Sequence, residues 1–398
     1  MIRPLDMVAR LQTAAWLKRE ETQSILAVLG GEDKATRAVG GIVRDTILGR
    51  DPASTDIDLA TTLRPHEVTL RAERAGISVH PTGIEHGTVT LRLDQVVAEV
   101  TTLREDVETD GRRAVVQFGT DWRRDAERRD FTMNALYADM NGELFDPLAG
   151  LEDCLAGRVR FIGEPAQRIE EDRLRVYRFF RFSASHGGER LDAAGLAACQ
   201  AATGLEVLSA ERVGSELRRM LSLPRAAITL KAMAEAGIVG LSSHTLQALH
   251  SYERRARRPD LSARLAIIIS ESGATRLKGL WRLSNDEVSA AEAILTVAGL
   301  LAGFKLNEAA YRHPAALADG VEVAAVLADW SDAGKSAVLD QLQAVSVPRF
   351  PLGGGDLLLA GMRPGRALGA ELDRLEQLWI ASGFTLERDA LLAEIQAS

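Results

Sequence analysis

The feature that most constrains this chain is a change of period near residue 150. Before it, short β-branched runs alternate with turns: "TRAVG", "DIDLA", "ISVHP", "GTVTLRL", "VVAEVTTL" and "AVVQFG", all between residues 35 and 145. Such alternation sends successive side chains to opposite faces of a strand. Helical pieces interleave at 42–49 and 65–75, and residues 4–30 read as an amphipathic helix. Beyond about residue 151 the spacing is helical and clear strands stop. "AQRIEEDRLRVYRFFRFSASHG" reads as one long helix ended by Gly187–Gly188, and "LSAERVGSELRRMLSLP" as another. The pattern predicts an α/β head over 1–152, a small mixed sheet with helices. Helical segments follow over 153–223 and 224–398.

Composition agrees with a helix-rich globular protein, at 46% hydrophobic but only 5% aromatic residues. The formal charge of −8 argues weakly against a nucleic-acid partner. It averages over basic patches, however: residues 158–181 hold seven Arg against four acids, and "RRARR" occupies 254–258. Cys154 and Cys199 have neither zinc-site spacing nor the numbers for a disulfide framework, which fits a reduced compartment. The N-terminus carries acid and base in a helical pattern and does not read as a signal peptide. The apolar run Ala293–Phe304 is too short to span a bilayer. A cytoplasmic protein with no membrane contact and no evident obligate protein partner is expected.

The chemistry concentrates in "AVGGIVRDTILGRDPASTDIDLATT", residues 38–62. In a strand, Asp56 and Asp58 share one face while Ile57 and Leu59 take the other. Two carboxylates about 4 Å apart repel by roughly 4 kcal/mol at an effective dielectric near 20. A divalent cation reverses that sign, and hard oxygen ligands suit Mg2+ completed by water and substrate phosphates. Two solvated loop acids would need no cation. The upstream residues favour the metal: Gly40–Gly41 fall where a strand ends and a helix begins, which lets backbone N–H groups approach an anion. Arg44, one turn into that helix, could reach the same anion. Glu99 interrupts the apolar run "VVAEVTTLR" and is the candidate third acid, completing the metal site or orienting an attacking hydroxyl.

A second constellation lies in "ERRDFTMNAL" (127–136) and "EEDRLRVYRFFRF" (170–182). Asp172, Arg175, Arg178 and Arg181 recur at steps of three, which places them side by side along a slanted ridge of the helix. Val176, Tyr177 and Phe180 remain for packing. Plain surface pairing of Glu171 with Arg175, or Arg168 with Asp172, would also account for the charges. If Asp172 and Arg175 face a nucleotide, Asp accepts from the exocyclic amine of cytosine or adenine, and Arg donates to the adjacent ring nitrogen. Uracil and guanine present the reverse polarity. Arg129, Arg178 and Arg181 would then neutralise a triphosphate.

Together these blocks resemble the class II tRNA nucleotidyltransferases and bacterial poly(A) polymerases of the polymerase-β superfamily. The resemblance runs from about residue 36 to 222 and more weakly beyond. It rests on "VGGIVRDTILGR" with "DIDLATT", "EHGTVTL", "EVTTLRED", "RRDFTMNAL", "FDPLAGLEDC", "EEDRLRVYRFFRFSA" and "ERVGSELRRML", in that order. It implies a polymerase-β-like head, then a helical neck, body and tail, with tRNA lying along the helical part. It implies Mg2+ on Asp56 and Asp58, with Glu99 as the third acid. Gly40, Gly41, Arg44 and Arg129 would serve as nucleotide contacts, Asp172 and Arg175 as the base-reading pair, and Arg178 and Arg181 as further nucleotide contacts.

"HPTGIEHGTVTL" resembles the CCA-adding type, and "REDVETDGRRAVVQFGTDWRRDAERRD" resembles the loop needed to add the final A. The implied activity is template-independent addition of CCA to tRNA from CTP and ATP. A poly(A) polymerase is the near alternative, and a non-catalytic RNA-binding protein the alternative of another class.

Overall fold

The computed structural model describes residues 4–50, 55–84, 87–106 and 116–395. By internal compactness the chain divides into two units, Met1–Leu208 and Ser209–Ser398. The change from strands to helices falls near residue 150, as the pattern predicted, but the first helices after it belong to the first unit.

Among its described residues the first unit has nine strands: β1 Thr36–Val39, β2 Asp56–Thr61, β3 Ser78–Gly83, β4 Thr88–Leu93, β5 Val96–Thr102, β6 Arg104–Asp106, β7 Val116–Phe118, β8 Tyr137–Ala138 and β9 Leu144–Phe145. Seven form one mixed sheet in the order β3-β4-β5-β2-β1-β8-β9, while β6 and β7 pair separately. The β2–β5 pair is parallel and its neighbours are antiparallel, so β2 sits mid-sheet with both edges bonded. The alternation seen in sequence sets its faces: Ile57 and Leu59 are buried. The end of "AVVQFG" forms β7, while residues 85–86 of "EHGTVTL" and residues 107–115, in the stretch that resembles the segment for the final A, lie outside the described residues.

Two helical expectations change. Residues 4–30 form four short helices, Pro4–Val8, Arg10–Thr13, Ala15–Lys18 and Glu20–Val28, with Ala14 and Arg19 extended between the last three. One straight helix could not turn Leu11, Trp16, Leu17, Ile25 and Leu26 all inward, yet all are buried. The breaks allow it, and long-range bonds hold them: Trp16 Nε1 donates to Thr46 Oγ1 (2.8 Å) and Arg10 Nη1 to the Ile47 carbonyl (2.8 Å).

The long helix predicted over 166–187 is two helices, Pro165–Glu171 and Arg175–Ser185. Asp172 is extended between them, and its Oδ1 accepts the Leu174 N–H at 3.1 Å. A short polar side chain that bonds its own downstream backbone competes with helix continuation. "FDPLAGLEDC" folds as a capped helix, Gly150–Ala156, whose first N–H groups are taken by Asp146. Asp153 on that helix accepts from Thr132 Oγ1 (2.6 Å), fixing the turn Thr132–Asn134 that follows the "RRD" block.

The second unit is all helical among the described residues. Ser209 caps Ala210–Leu221, with its hydroxyl accepting the Arg212 N–H. The helix Asn285–Ala302 packs closely on Leu317–Leu327, where a Cβ on Gly320 would fall 2.2 Å from Val297. A separate aromatic cluster around Trp379 gathers Tyr311, Phe350 and Phe384 with Leu357, Leu375 and Leu391. No described helix is long and apolar enough to cross a membrane.

Candidate active site

The carboxylates come together as strand geometry requires. Asp56 and Asp58 both lie on the exposed face of β2, opposite Ile57 and Leu59. In register, Asp58 sits beside Glu99 on β5, Glu99 beside Thr90 on β4, and Asp56 beside Val97. Paired strands run about 4.8 Å apart, so Asp58 and Glu99 are lateral neighbours, with Asp56 one pleat repeat along the strand. The Asp58 carboxyl is raised above the usual carboxylate range. Partial burial contributes most, repulsion from Glu99 and Asp56 adds to it, and the Arg129 charge opposes it. Among the described residues no three His, Cys, Asp or Glu side chains close into a metal cage. The arrangement is an open, oxygen-only site on a sheet face. It fits a hard cation that takes two protein carboxylates and leaves positions for phosphate and water.

Gly40 has φ +76°, a left-handed-side conformation that glycine adopts without strain. A Cβ there would stand 3.9 Å from Arg129 Nη1, so the glycine turn and Arg129 share one wall. Arg129 is held from behind. Its Nε donates to the Tyr137 hydroxyl (3.2 Å), and its Nε and Nη2 lie 3.4 and 3.3 Å from Asp125 Oδ2. The Tyr137 hydroxyl donates to the same carboxylate oxygen at 2.9 Å. Its pKa is pushed well up, by burial first and the Asp125 charge second, against the pull of Arg129. Arg129 is thus aimed by a buried Asp–Tyr pair, with Nη1 on the side of Gly40.

Arg44 is buried, at 5% exposure. Its Nε and Nη2 grip the two oxygens of Asp45 (2.9 and 3.0 Å), and its Nη1 donates to Asn134 Oδ1. Three of its five N–H donors are therefore engaged within the protein.

On the helical side, Arg175, Arg178 and Arg181 belong to the helix Arg175–Ser185, and Val176, Tyr177 and Phe180 are buried as predicted. Asp172 precedes that helix, so the ridge of four is a ridge of three with the acid in the break before it. Arg175 Nη1 meets Glu171 Oε2 and the Arg168 carbonyl, each at 2.7 Å, and its Nη2 donates to the Arg128 carbonyl (3.2 Å). The plain Glu171–Arg175 pairing is therefore present, while Arg168 pairs with Glu171. Arg178 clasps Asp130 Oδ2 through Nε (2.7 Å) and Nη2 (2.6 Å). Burial would raise the Asp130 carboxyl, but the Arg178 charge and hydrogen bonds from Asn134 and Arg178 outweigh it and hold it low. Arg181 stacks over the Phe182 ring at 4.1 Å, with Arg44 and Arg178 at 5.1 and 5.3 Å.

Sequence reasoning missed the supporting residues. Arg168, buried, donates through Nη2 to the carbonyls of Arg128 and Arg129 (2.5 and 2.7 Å), tying the helical segment to the backbone that carries Arg129. Asp125, Asp130, Asn134, Phe182, Asp45 and His186 also escaped notice. A signal existed for two of them: Asp130 and Asn134 stand four apart in the quoted "RRDFTMNAL" block, and Asn134 Nδ2 does donate to Asp130 Oδ1 (3.0 Å).

The chain is similar to known proteins along most of its length. The family described as "Poly A polymerase head domain" matches residues 36–160. The chain is 33% identical over 382 residues to the mitochondrial CCA tRNA nucleotidyltransferase 1 of Danio rerio, covering 91% of this chain and 87% of the relative. It is 30% identical over 365 residues to the CCA-adding enzyme of Lacticaseibacillus paracasei, covering 89% and 90%. Among solved structures it superposes on a Bacillus stearothermophilus CCA-adding enzyme in complex with CTP, with TM-score 0.75 and 25% identity. That match covers 94% of this chain and 96% of that one.

Proposed function

The chain belongs to the family of CCA-adding tRNA nucleotidyltransferases, and from that premise we infer which of its residues carry the addition of C, C and A to tRNA 3′ ends. Asp56 and Asp58 would hold Mg2+, because both present acceptor-only oxygens on one face and repel each other without a cation. Bound there, the metal would supply charge for the triphosphate and lower the pKa of the attacking 3′-hydroxyl. Glu99, the register partner of Asp58, would accept from that hydroxyl and orient it. Gly40 and Gly41 leave room for phosphate oxygens against the wall that Arg129 shares, and Arg44 backs that wall from below. Arg178 and Arg181 bring further positive charge toward the nucleotide from the helical segment.

Asp172 and Arg175 are the proposed base readers. Asp172 accepts from the exocyclic amine shared by C and A, and Arg175 donates to the neighbouring ring nitrogen. Their backbone placement supports this. Asp172 is extended at the start of the arginine helix, and the Arg175 N–H bonds the Asp172 carbonyl at 3.0 Å. We also assign catalysis to 1–152, base selection to 153–223 and tRNA contact to 224–398, and propose a cytoplasmic setting on the strength of two buried free thiols. The observation that carries the assignment is Arg129. It lies against Gly40 and acts on Asp58, and the next residue, Asp130, clasps Arg178.

The experiment offers purified protein a tRNA lacking its 3′ end, first with single NTPs and then with CTP plus ATP, with and without Mg2+. Three additions and a stop are expected, where a poly(A) polymerase would extend a long A tail. Asp58→Ala should abolish incorporation with tRNA binding kept. Asp172→Ala should admit UTP and GTP; unchanged selectivity removes it from base reading.

A further inference from the structure

The arginine helix ends in a contact that the assigned roles leave unexplained. His186 caps Arg175–Ser185, and its Nε2 lies 2.9 Å from Asp45 Oδ1, 141 residues away in sequence. Ser185 Oγ lies 2.6 Å from the other ring nitrogen, Nδ1. Burial first, with the charges of Arg44 and Arg50, lowers the His186 pKa below the usual histidine value against the pull of Asp45, so the ring is neutral at pH 7. A neutral ring facing a carboxylate carries its proton on Nε2, and Nδ1 then accepts from Ser185.

Asp45 needs such an anchor. Adjacent residues on a helix point about 100° apart and do not face each other. Yet Asp45 grips Arg44, its immediate neighbour, with both oxygens. Arg44 in turn fixes Asn134 by its carbonyl oxygen, the Asn134 amide donates to Asp130, and Asp130 clasps Arg178. Donor on one side and acceptor on the other leave Asn134 a single orientation. The result is a continuous relay: Ser185, His186, Asp45, Arg44, Asn134, Asp130, Arg178. It starts and ends on the same helix and passes through the turn behind Gly40. Phe182 lies inside the loop, 5.7 Å from the His186 ring and under Arg44 and Arg178.

We propose that His186 and Asp45 are positioning residues for the incoming nucleotide: by holding Arg44 and Asn134 they fix the guanidinium of Arg178 in its nucleotide-binding pose. The inference rests on the assignment of Arg178 as a nucleotide contact. His186 touches no substrate, and its effect should appear in nucleotide KM rather than in tRNA affinity.

The test uses the full chain, with steady-state kinetics for CTP and ATP and separate tRNA binding. His186→Phe keeps the ring volume and removes the donor. It should raise KM for both nucleotides about tenfold, the worth of one hydrogen bond to a charged group, with tRNA Kd unchanged. His186→Gln restores a donor and should return KM to within about threefold of the parent. A cycle combining His186→Phe with Arg178→Lys should show the two KM effects failing to multiply, since separated independent sites add in free energy. Multiplying effects, or a KM loss that Gln does not rescue, overturn the relay. If His186→Phe does not fold, Asp45→Asn against Arg178→Lys carries the same cycle, since it removes the carboxylate that holds Arg44. Arg178→Lys alone leaving nucleotide KM unchanged would sink the nucleotide assignment instead, so the two failures are distinguishable.

Discussion

Replacing Asp58 by Asn should stabilise the protein in chelator while destroying its activity. Asp58 and Glu99 are register partners on paired strands, and Asp56 lies two residues along the same face. At about 5 Å, two unit charges repel by roughly 3 kcal/mol at an effective dielectric of 20, and by about 0.8 kcal/mol at that of bulk water. Neighbouring groups bury Asp58 partly, but Asp56, Asp58 and Glu99 all stay open to water that screens them, so the lower figure governs, close to the effect of like charges opposed in a sheet. Arg129 offsets part of it. A net gain of about 0.5 kcal/mol is expected for Asp58→Asn, or roughly 1–2 °C in the melting temperature of a unit this size.

The pH dependence fixes the sign independently. The Asp58 pKa is raised on folding, so the folded state holds this proton more tightly than the unfolded state. The penalty of ionising it is absent below the unfolded pKa. It grows as pH rises through the window up to the raised folded value, and is fully present above that. The stability difference between Asp58→Asn and the parent should therefore widen across that window and then level off. The assay is thermal unfolding in EDTA from pH 3.5 to 8, repeated with Mg2+ and CTP. Ligand should raise the parent's melting temperature and leave the variant's where it was. Destabilisation in EDTA above pH 6 would refute the reasoning, since it would mean Arg129 attraction outweighs the two like charges.

Three further substitutions probe the framework. Gly150→Ala places a Cβ 2.1 Å from the Thr132 carbonyl, so the turn carrying Asn134 must move; urea unfolding should show a loss of about 2–3 kcal/mol. Arg264→Ala leaves Glu253 buried without its 2.8 Å partner and frees the Leu221 and Pro224 carbonyls. A loss of about 3–5 kcal/mol is expected in the same assay. Asp45 has its pKa pulled down to about 2: burial opposes the shift, but hydrogen bonds from His186 and Arg44 exceed it. Its contribution is fully present above the ordinary Asp range and fades as pH falls toward that value. Asp45→Asn should therefore cost about 2 kcal/mol at pH 7 and progressively less in acid unfolding at pH 4 and 3.

The legible part of the molecule was the part with a local period. Asp56 and Asp58 could be put on one face because a strand repeats every two residues and Ile57 and Leu59 had to be buried. Glu99 could be recognised because it broke an apolar run, although its place beside Asp58 is a matter of register. What sequence could not supply was anything set by distant partners. Residues 166–187 contain no glycine or proline before the end, so nothing local announced a break at Asp172. The break is held by Arg168 and Arg175 reaching the Arg128 and Arg129 carbonyls, some 40 residues back. The N-terminal segment split for the same reason, since Trp16 and Arg10 answer to Thr46 and Ile47 and not to their helical neighbours.

These two kinds of information divide the labour of the site. The groups proposed to touch metal and phosphate stand on a sheet strand and a glycine turn, where backbone geometry alone fixes their spacing. The arginines cannot be fixed that way, because each long side chain samples many rotamers in water and loses up to about 2 kcal/mol of entropy when held. Each is instead pinned by a carboxylate or carbonyl from elsewhere in the unit: Arg129 by Asp125, Arg44 by Asp45, Arg178 by Asp130, and Arg175 by Glu171 and the Arg128 carbonyl. Four guanidiniums held before substrate arrives would leave little ordering to be done when a triphosphate binds. It follows that the pinning carboxylates should govern nucleotide affinity almost as strongly as the arginines they hold, while leaving the chemistry at Asp56 and Asp58 untouched.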